Sequence, residues 1–437
     1  MALEADFDLK NGIIDSETPV NSDLAALYKQ SFAYHTFRVR SPEILASIVT
    51  SLAEDKDDLI ATYGSATCAD IEKISADITK LRSDILANAT MLLFKDNEPD
   101  TAQWNAFLKQ LPAEKRSYYT ACWLYAECYM YRKIYSIFRG SATLGSFDYF
   151  RKQKHKSAEM SIDVMVAVTR ATRESVRNER TFQKLLKLNL WGNRCDLSIT
   201  SGKQVTPKDD AFEIVAELDA NLLVDRSDST WKSLESACSV DSIVEIILDN
   251  SGYELFTDLI LAEYIIDKGL ACKVRFNVKA IPWFISDVMV HDYHWKLDFL
   301  AKHENELLRE LGKKLQLFTA QGKFEVAPMD YYWTSPYEFF RMQQMQPALY
   351  ERLAKAKLLI IKGDLNYRKL IGDYNWNHTE AFETCLRGFR PTNLCTLRTI
   401  KAHLICGLPP GKSEELFAKN KEWMLTGEYG VIQFASN

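Results

Sequence analysis

Along this chain the hydrophobic rhythm changes once. From about Asp23 to Lys187 the apolar positions recur at helical spacing. "CADIEKISADITKLRSDILANATMLL" carries Ile71, Ile74, Ile78, Leu81 and Ile85 at steps that place them on one helix face. "SPEILASIVTSLAEDKDDLIATYG" opens with Ser41, Pro42 and Glu43, which reads as a cap followed by proline at the first helical position. "RSYYTACWLYAECYMYRKIYSIF" is crowded with aromatic residues at similar spacing, a stripe that predicts packing rather than cofactor contact. No strand-like alternation of any length interrupts this half.

Near Leu188 the pattern breaks. "LNLWGNRCDLSITSGK" reads as a loop, and from Ile243 short β-branched runs alternate with amphipathic stretches. Strands are expected at Ile243–Leu248, Cys272–Val278, Phe324–Ala327, Leu358–Ile361, near Leu394–Leu404 and at Val431–Phe434. Helices are expected at Tyr253–Lys268 and Pro336–Lys355. This alternation predicts an α/β domain whose mainly parallel sheet is covered by helices on both faces, with right-handed crossovers. The expected organisation is a helical domain over residues 1–187, a connecting region over 188–242 and an α/β domain over 243–437.

The length of 437 residues exceeds what one hydrophobic core usually covers, which agrees with two domains. A 47% hydrophobic and 26% charged composition is that of an ordinary soluble globular protein. The net charge of −5 argues against nucleic acid as the partner, because phosphate-backbone binding needs a basic face. There is no apolar run of roughly 18 residues to span a membrane. The start, "MALEADFDLKNG", lacks the basic flank and apolar core of a secretory signal. Nine cysteines without a C-x-x-C pair suit free thiols in a reducing compartment, so the expectation is cytosolic or nuclear.

Candidate chemistry gathers where the expected strands end. In "VEIILDNSGYELFTDLILAEYII" the apolar run stops at Asp249, Asn250, Ser251 and Gly252, and resumes at helical spacing with Leu255, Leu259, Ala262 and Ile266. Ligands of parallel sheets collect outside the carboxyl ends of the strands. The same hand-over recurs in "KVRFNVKAIPWFISDVMVHDYHW", which reaches Ile285, Ser286 and Asp287. It recurs again in "KAKLLIIKGDLNYRKLIGD", which passes from Lys362 and Gly363 to Asp364, Leu365, Asn366, Tyr367 and Arg368. "FEVAPMDYYWTSPYEFF" ends at Trp333, Thr334, Ser335 and Pro336, and "NLCTLRTIKAHLICGL" supplies Arg398, Thr399 and Lys401.

Oxygen donors of this kind suit a hard divalent cation, with charge from Asp249 and Asp287 and a neutral carbonyl from Asn250. Arg368 and Lys401, with amides at a helix N-terminus, would supply counter-charge to a phosphoryl group. A cation there would polarise that group and acidify an attacking water. Taken singly, an Asp-Asn pair after a strand is more often a helix cap than a metal site, and Asp364 reads equally well as a cap. Arg398 and Lys401, three apart, would share a helix face but lie on opposite faces of a strand. It is the repetition at several strand ends that carries the argument.

Together "LWGNRCDLS", "ILDNSGYELFTDLILAEYI", "WFISDVMVHD", "KGDLNYRKL" and "LRTIK" resemble the metal-dependent damage-control phosphatases, long catalogued as a domain of unknown function. Arg398-Thr399-Ile400-Lys401 resembles the Arg-Thr-x-Lys mark of the eukaryotic stand-alone subgroup, subfamily III. The resemblance spans nearly the whole chain. It implies a helical N-terminal domain packed on a Rossmann-like α/β/α sandwich. It implies one divalent metal ion (manganese, cobalt, nickel or magnesium) held by Asp249, Asn250 and Asp287, which also form the catalytic set. Substrate is implied at Asp249, Asn250, at Asp364, Leu365, Asn366, Tyr367 and Arg368, and at Lys401. Asn193, Glu254, Arg398 and Thr399 take supporting parts. The implied activity is hydrolysis of small, reactive or misplaced sugar phosphates such as fructose 1-phosphate.

A vertebrate member of that family has been described as an S-adenosylmethionine-dependent methyltransferase acting on protein carboxylates, which supplies the alternative. Against it, "DNSGYE" has one glycine where a nucleotide-binding turn needs several, and two acidic groups with a cation suit phosphate better than a sulfonium. A phosphoaspartyl route through Asp249 would usually call for a second aspartate two residues on, and Ser251 stands there, which favours attack by water. An inactive scaffold would be expected to have lost Asp249 or Lys401, and both are present. His291 and His294 read as surface or outer positions, "RKQKHK" as a solvated helix face with room for one phosphate-facing lysine, and "CGLPPGKSEE" as a turn before a helix.

Overall fold

The isoleucine-leucine stripe of the first half is buried as its spacing requires: Ile71, Ile74, Ile78, Leu81 and Ile85 lie inward on the helix Thr67–Leu86. The aromatic-rich stretch forms the helix Trp123–Arg139. Its Arg132, fully buried, is clamped by Asp96 and Asp100 through hydrogen bonds of 2.9–3.0 Å, so the guanidinium serves the core. Ser41 does not cap a helix. A helical course already runs through Thr36–Arg40, so Ser41 has helical angles and Pro42 falls within a continuing helix.

The computed structural model describes residues 2–173, 176, 178–198, 211–235 and 241–437. The chain forms two compact units. One comprises Met1–Tyr149 with the returning segments Thr334–Tyr337 and Asp373–Trp376. The other comprises Phe150–Trp333, Glu338–Gly372 and Asn377–Asn437.

Among the described residues the second unit is built on seven strands: β1 (Leu222–Asp225), β2 (Ile243–Ile247), β3 (Lys273–Asn277), β4 (Phe324–Val326), β5 (Leu358–Lys362), β6 (Leu394–Thr399) and β7 (Gly430–Ala435). They lie in the order β1-β7-β6-β5-β2-β3-β4. All neighbours are parallel except β6 and β7. The expected α/β architecture with a mainly parallel sheet is therefore the observed one. Register fixes the site: Ile247 of β2 is level with Asn277 of β3 and Ile361 of β5, so three central strands deliver their carboxyl ends together.

Three expectations are corrected. The segment read as a loop at Leu188 lies inside the helix Glu179–Ser198, with Leu185, Leu186, Leu190 and Trp191 buried. Gly192 in that helix is a packing notch, since a Cβ there would lie 2.8 Å from Thr257 Oγ1. The rest of that stretch, from residue 199, lies outside the described residues. Within the expected connecting region, β1 joins the sheet beside β7. Finally, Pro336–Lys355 is not one helix but a 3-10 turn (Phe339–Arg341) and the short helices Met342–Met345 and Pro347–Ala354. Pro347 excludes helical geometry at Gln346, whose angles are φ −146 and ψ 65.

Candidate active site

Beyond β2 the backbone of Asp249–Ser251 pairs with the loop that follows β3. Val288 N–H donates to the Asp249 carbonyl at 2.8 Å and Ser251 N–H to the Ser286 carbonyl at 2.7 Å, with Asn250 and Asp287 opposite one another in an antiparallel bridge. This short ladder is what brings the three expected metal-binding residues together. The loop reaches it through Phe284 (φ 42) and Ile285 (φ 70), two non-glycine residues in left-handed conformation. Such strain persists only where the surroundings over-determine it.

Asp249 and Asp287 are almost wholly buried. Burial pushes the Asp249 carboxyl well above the usual carboxylate range, and the charges of Glu254 and Asp287 add to the effect. Burial likewise raises Asp287 to about 6, with Lys279 opposing. Lys279 Nζ lies 3.4 Å from Asp287 Oδ2, close enough for attraction, yet that buried oxygen accepts no hydrogen bond. Asn250 commits its amide nitrogen to Asp249 Oδ2 (2.9 Å) and Glu254 Oε2 (2.7 Å), so its carbonyl oxygen is the atom presented, touched by the Ser286 hydroxyl.

Directly behind this group lies a buried ionic layer. Lys362, the last residue of β5, donates to Glu254 Oε1 and Asp258 Oδ1, both at 2.9 Å, and to the Asn189 carbonyl at 3.2 Å. Burial alone would lower its pKa, but the charges of Asp258 and Glu254 prevail and hold it at about 12. Glu254, expected as a supporting residue, thereby links Asn250 to Lys362. Next in the chain, Gly363 has φ +83, and a Cβ on it would stand 1.9 Å from Asp249 Oδ2. Glycine is the one residue that leaves room for the carboxylate.

The remaining candidates separate into those at the edge and those inside. Asp364 is partly exposed and accepts from Arg398 Nε at 2.7 Å and from the Lys401 backbone N–H at 3.4 Å. Arg398 is fully buried, donating also to the Leu404 carbonyl (2.7 Å) and stacking on Tyr367 (4.3 Å). Lys401 is half-buried, and its methylene chain runs over Gly427, where a Cβ would meet its Cε at 3.0 Å. Asn366 bonds the Leu248 and Lys362 carbonyls (3.1 and 2.7 Å) and receives Lys279 (2.9 Å). Tyr367 donates to Gln433 at 2.8 Å. Leu365, Arg368 and Thr399 are buried, and the side chain of Asn193 lies outside the described residues.

His291 and His294 are both exposed. In "RKQKHK", Lys154 is buried and donates to Asp292 at 2.6 Å, so that face of the helix Arg151–Met160 is not wholly solvated.

Sequence reasoning missed Lys279, and it named Lys362 and Gly363 at a strand end without giving either a role. The signal for Lys362 was present, because a lysine that ends the uninterrupted apolar run "LLII" must find a buried counter-charge.

A family model described as the damage-control phosphatase ARMT1-like domain matches residues 36–416. The chain belongs to that family. It is 35% identical to the damage-control phosphatase ARMT1 of Danio rerio over 433 residues, covering 94% of this chain and 96% of that protein. Against the Homo sapiens protein of the same name it is 34% identical over 426 residues, covering 92% and 96%. A crystal structure of a duf89 family protein from Pyrococcus horikoshii aligns at 20% identity and a TM-score of 0.40, over 80% of this chain and 93% of the other. The protein is accordingly a phosphatase of metabolite damage control. Methyl transfer is not favoured: the relatives carry the phosphatase name, and Gly252 is the one glycine between Asp249 and Glu254. Among the described residues no helix is long and apolar enough to cross a membrane.

Proposed function

We propose that this enzyme hydrolyses sugar phosphate monoesters, such as fructose 1-phosphate, with one divalent cation held by Asp249, Asn250 and Asp287. The supporting observation is the ladder that sets Asn250 against Asp287 and leaves a buried Asp287 oxygen without a hydrogen bond. Burial raises both carboxyls and Asp287 adds to the effect at Asp249, more than the nearby Lys279 offsets, and oxygen donors in this number fit a hard cation. Manganese, cobalt, nickel or magnesium bound there would polarise the phosphoryl group and acidify a water molecule.

The chain's own groups do the rest. Lys362 and Glu254 hold the Asn250 amide in one orientation. Gly363 lets the following helix approach Asp249 closely. Asp364, Arg368 and Lys401 receive the ester, with Arg398 fixing Asp364 from beneath. Ser251 stands where a phosphoaspartyl enzyme would need an acid, which supports attack by water.

The test is phosphate release from a panel of sugar phosphates by purified protein, with and without chelator, beside a methyl-transfer assay. Chelator-sensitive release from fructose 1-phosphate is expected. Release that ignores chelator, or methyl transfer in place of release, would refute the proposal.

A further inference from the structure

Beside Asn250 opens a cleft of about 190 Å³ within the second unit. Gln153, Lys154 and Ser157 line it on one side, with Ser251, Glu254 and Ile285 among the residues opposite. Ser251 is among the residues that line this space, and its Oγ is buried with no hydrogen-bond partner. A buried hydroxyl in that condition is destabilising unless a ligand or water completes it.

The lining offers no spare charge. Lys154, its single cation, is held by Asp292 at 2.6 Å, and Glu254, its single carboxylate, is held by Lys362 at 2.9 Å and Asn250 at 2.7 Å. What remains is neutral hydrogen-bonding capacity from Ser251 and Gln153. Gln153 and Ser157 sit four residues apart, and therefore on one face, of the helix Arg151–Met160. The cleft is smaller than drug-sized pockets, which start at about 300 Å³, and suits a compact polyol.

We infer that this cleft binds the polyhydroxylated part of a phosphate monoester. Ser251 Oγ hydrogen-bonds one substrate hydroxyl, and Gln153 acts as a specificity-determining residue. The inference rests on the proposed sugar phosphate activity. A second phosphate finds no matching cation in this lining, so the cleft selects monophosphates over bisphosphates.

The experiment compares kcat/KM for fructose 1-phosphate with that for p-nitrophenyl phosphate, which has no hydroxyl groups, in the unaltered enzyme and in Ser251→Ala and Gln153→Ala. The preference for the sugar ester is expected to fall about five- to tenfold in each variant, mainly through KM, as loss of one hydrogen bond implies. An unmoved preference, or an equal fall for both esters, would overturn the inference. So would turnover of a hexose bisphosphate as efficient as that of the monophosphate. Gln153 is exposed, so Gln153→Ala gives a reading even if Ser251→Ala fails to fold. If the unaltered enzyme cleaves p-nitrophenyl phosphate but no sugar phosphate, the substrate assignment above fails as well. If it cleaves both and the variants do not discriminate, only the cleft's role fails.

Discussion

The carboxylate of Asp249 occupies the space that any side chain on Gly363 would need, with 1.9 Å between Asp249 Oδ2 and an ideal Cβ. Gly363→Ala therefore has to displace either the strand-to-helix turn or the first expected metal ligand. The backbone at φ +83 adds strain of its own, so the variant should lose about 1–3 kcal/mol of stability along with cation affinity. Denaturant melts and calorimetric cation titration check this, and unchanged cation binding would count against the site.

Asp249→Asn should separate activity from stability. The carboxyl is buried and crowded by Glu254 and Asp287, so a neutral amide of the same shape relieves the metal-free protein while removing a ligand. Chelator-sensitive phosphatase activity should disappear. In chelator the melting temperature should rise, by about 2–4 °C for each kcal/mol relieved in a unit of this size. A lower melting temperature would mean that the charge is compensated.

The site should also respond to pH. Burial raises Asp287 from an ordinary 3.8 to about 6, so between those values the folded protein keeps a proton that the unfolded chain has released. Stability of the metal-free protein accordingly falls as pH rises through that window, and the full cost is present above about 6. A cation held there as proposed would compete with that proton. Its affinity should be weaker at pH 5 than at pH 7, measured by titration calorimetry, and a flat profile would contradict the ligand role.

Lys401 and Arg398 should behave differently despite their shared motif. Lys401→Ala is expected to raise KM about tenfold or more while bound metal persists, as loss of a charge-assisted contact to phosphate would do. Arg398→Ala strands Asp364 and two carbonyl groups, and should cost about 3–5 kcal/mol of stability. Arg398→Lys should rescue little, because the stacking on Tyr367 and the several donors belong to a planar guanidinium. Steady-state kinetics and melts on the three variants decide the matter.

Six of the seven strands in the described residues were legible as short, mainly apolar segments bounded by polar turns. β1 was not, since "LLVD" is half-exposed and too short to show a period. The placing of Asp249, Asn250 and Asp287 near one another followed from the rule for strand ends, but the ladder from Asp249 to Val288 did not. It depends on positive φ angles at Phe284 and Ile285, which no composition announces. Spacing left open whether Arg398 and Lys401 act together. In the fold Arg398 ends within β6 and Lys401 follows beyond it, so one is sealed in the core and the other lies at the edge. Lys362 reads from sequence as an anomaly, and only the packing of Glu254, Asp258 and Asn189 around it turns it into a brace.

The position of β7 between β1 and β6 bears on synthesis. As the polypeptide emerges from the ribosome, β1 has no mate until Gly430–Ala435 has been translated, and the β6 margin stays open for the same interval. During that wait two sheet margins offer unpaired amide and carbonyl groups to any neighbouring nascent chain. Chaperone demand, and the hazard of misassembly, should therefore concentrate in the period before this one late strand is inserted.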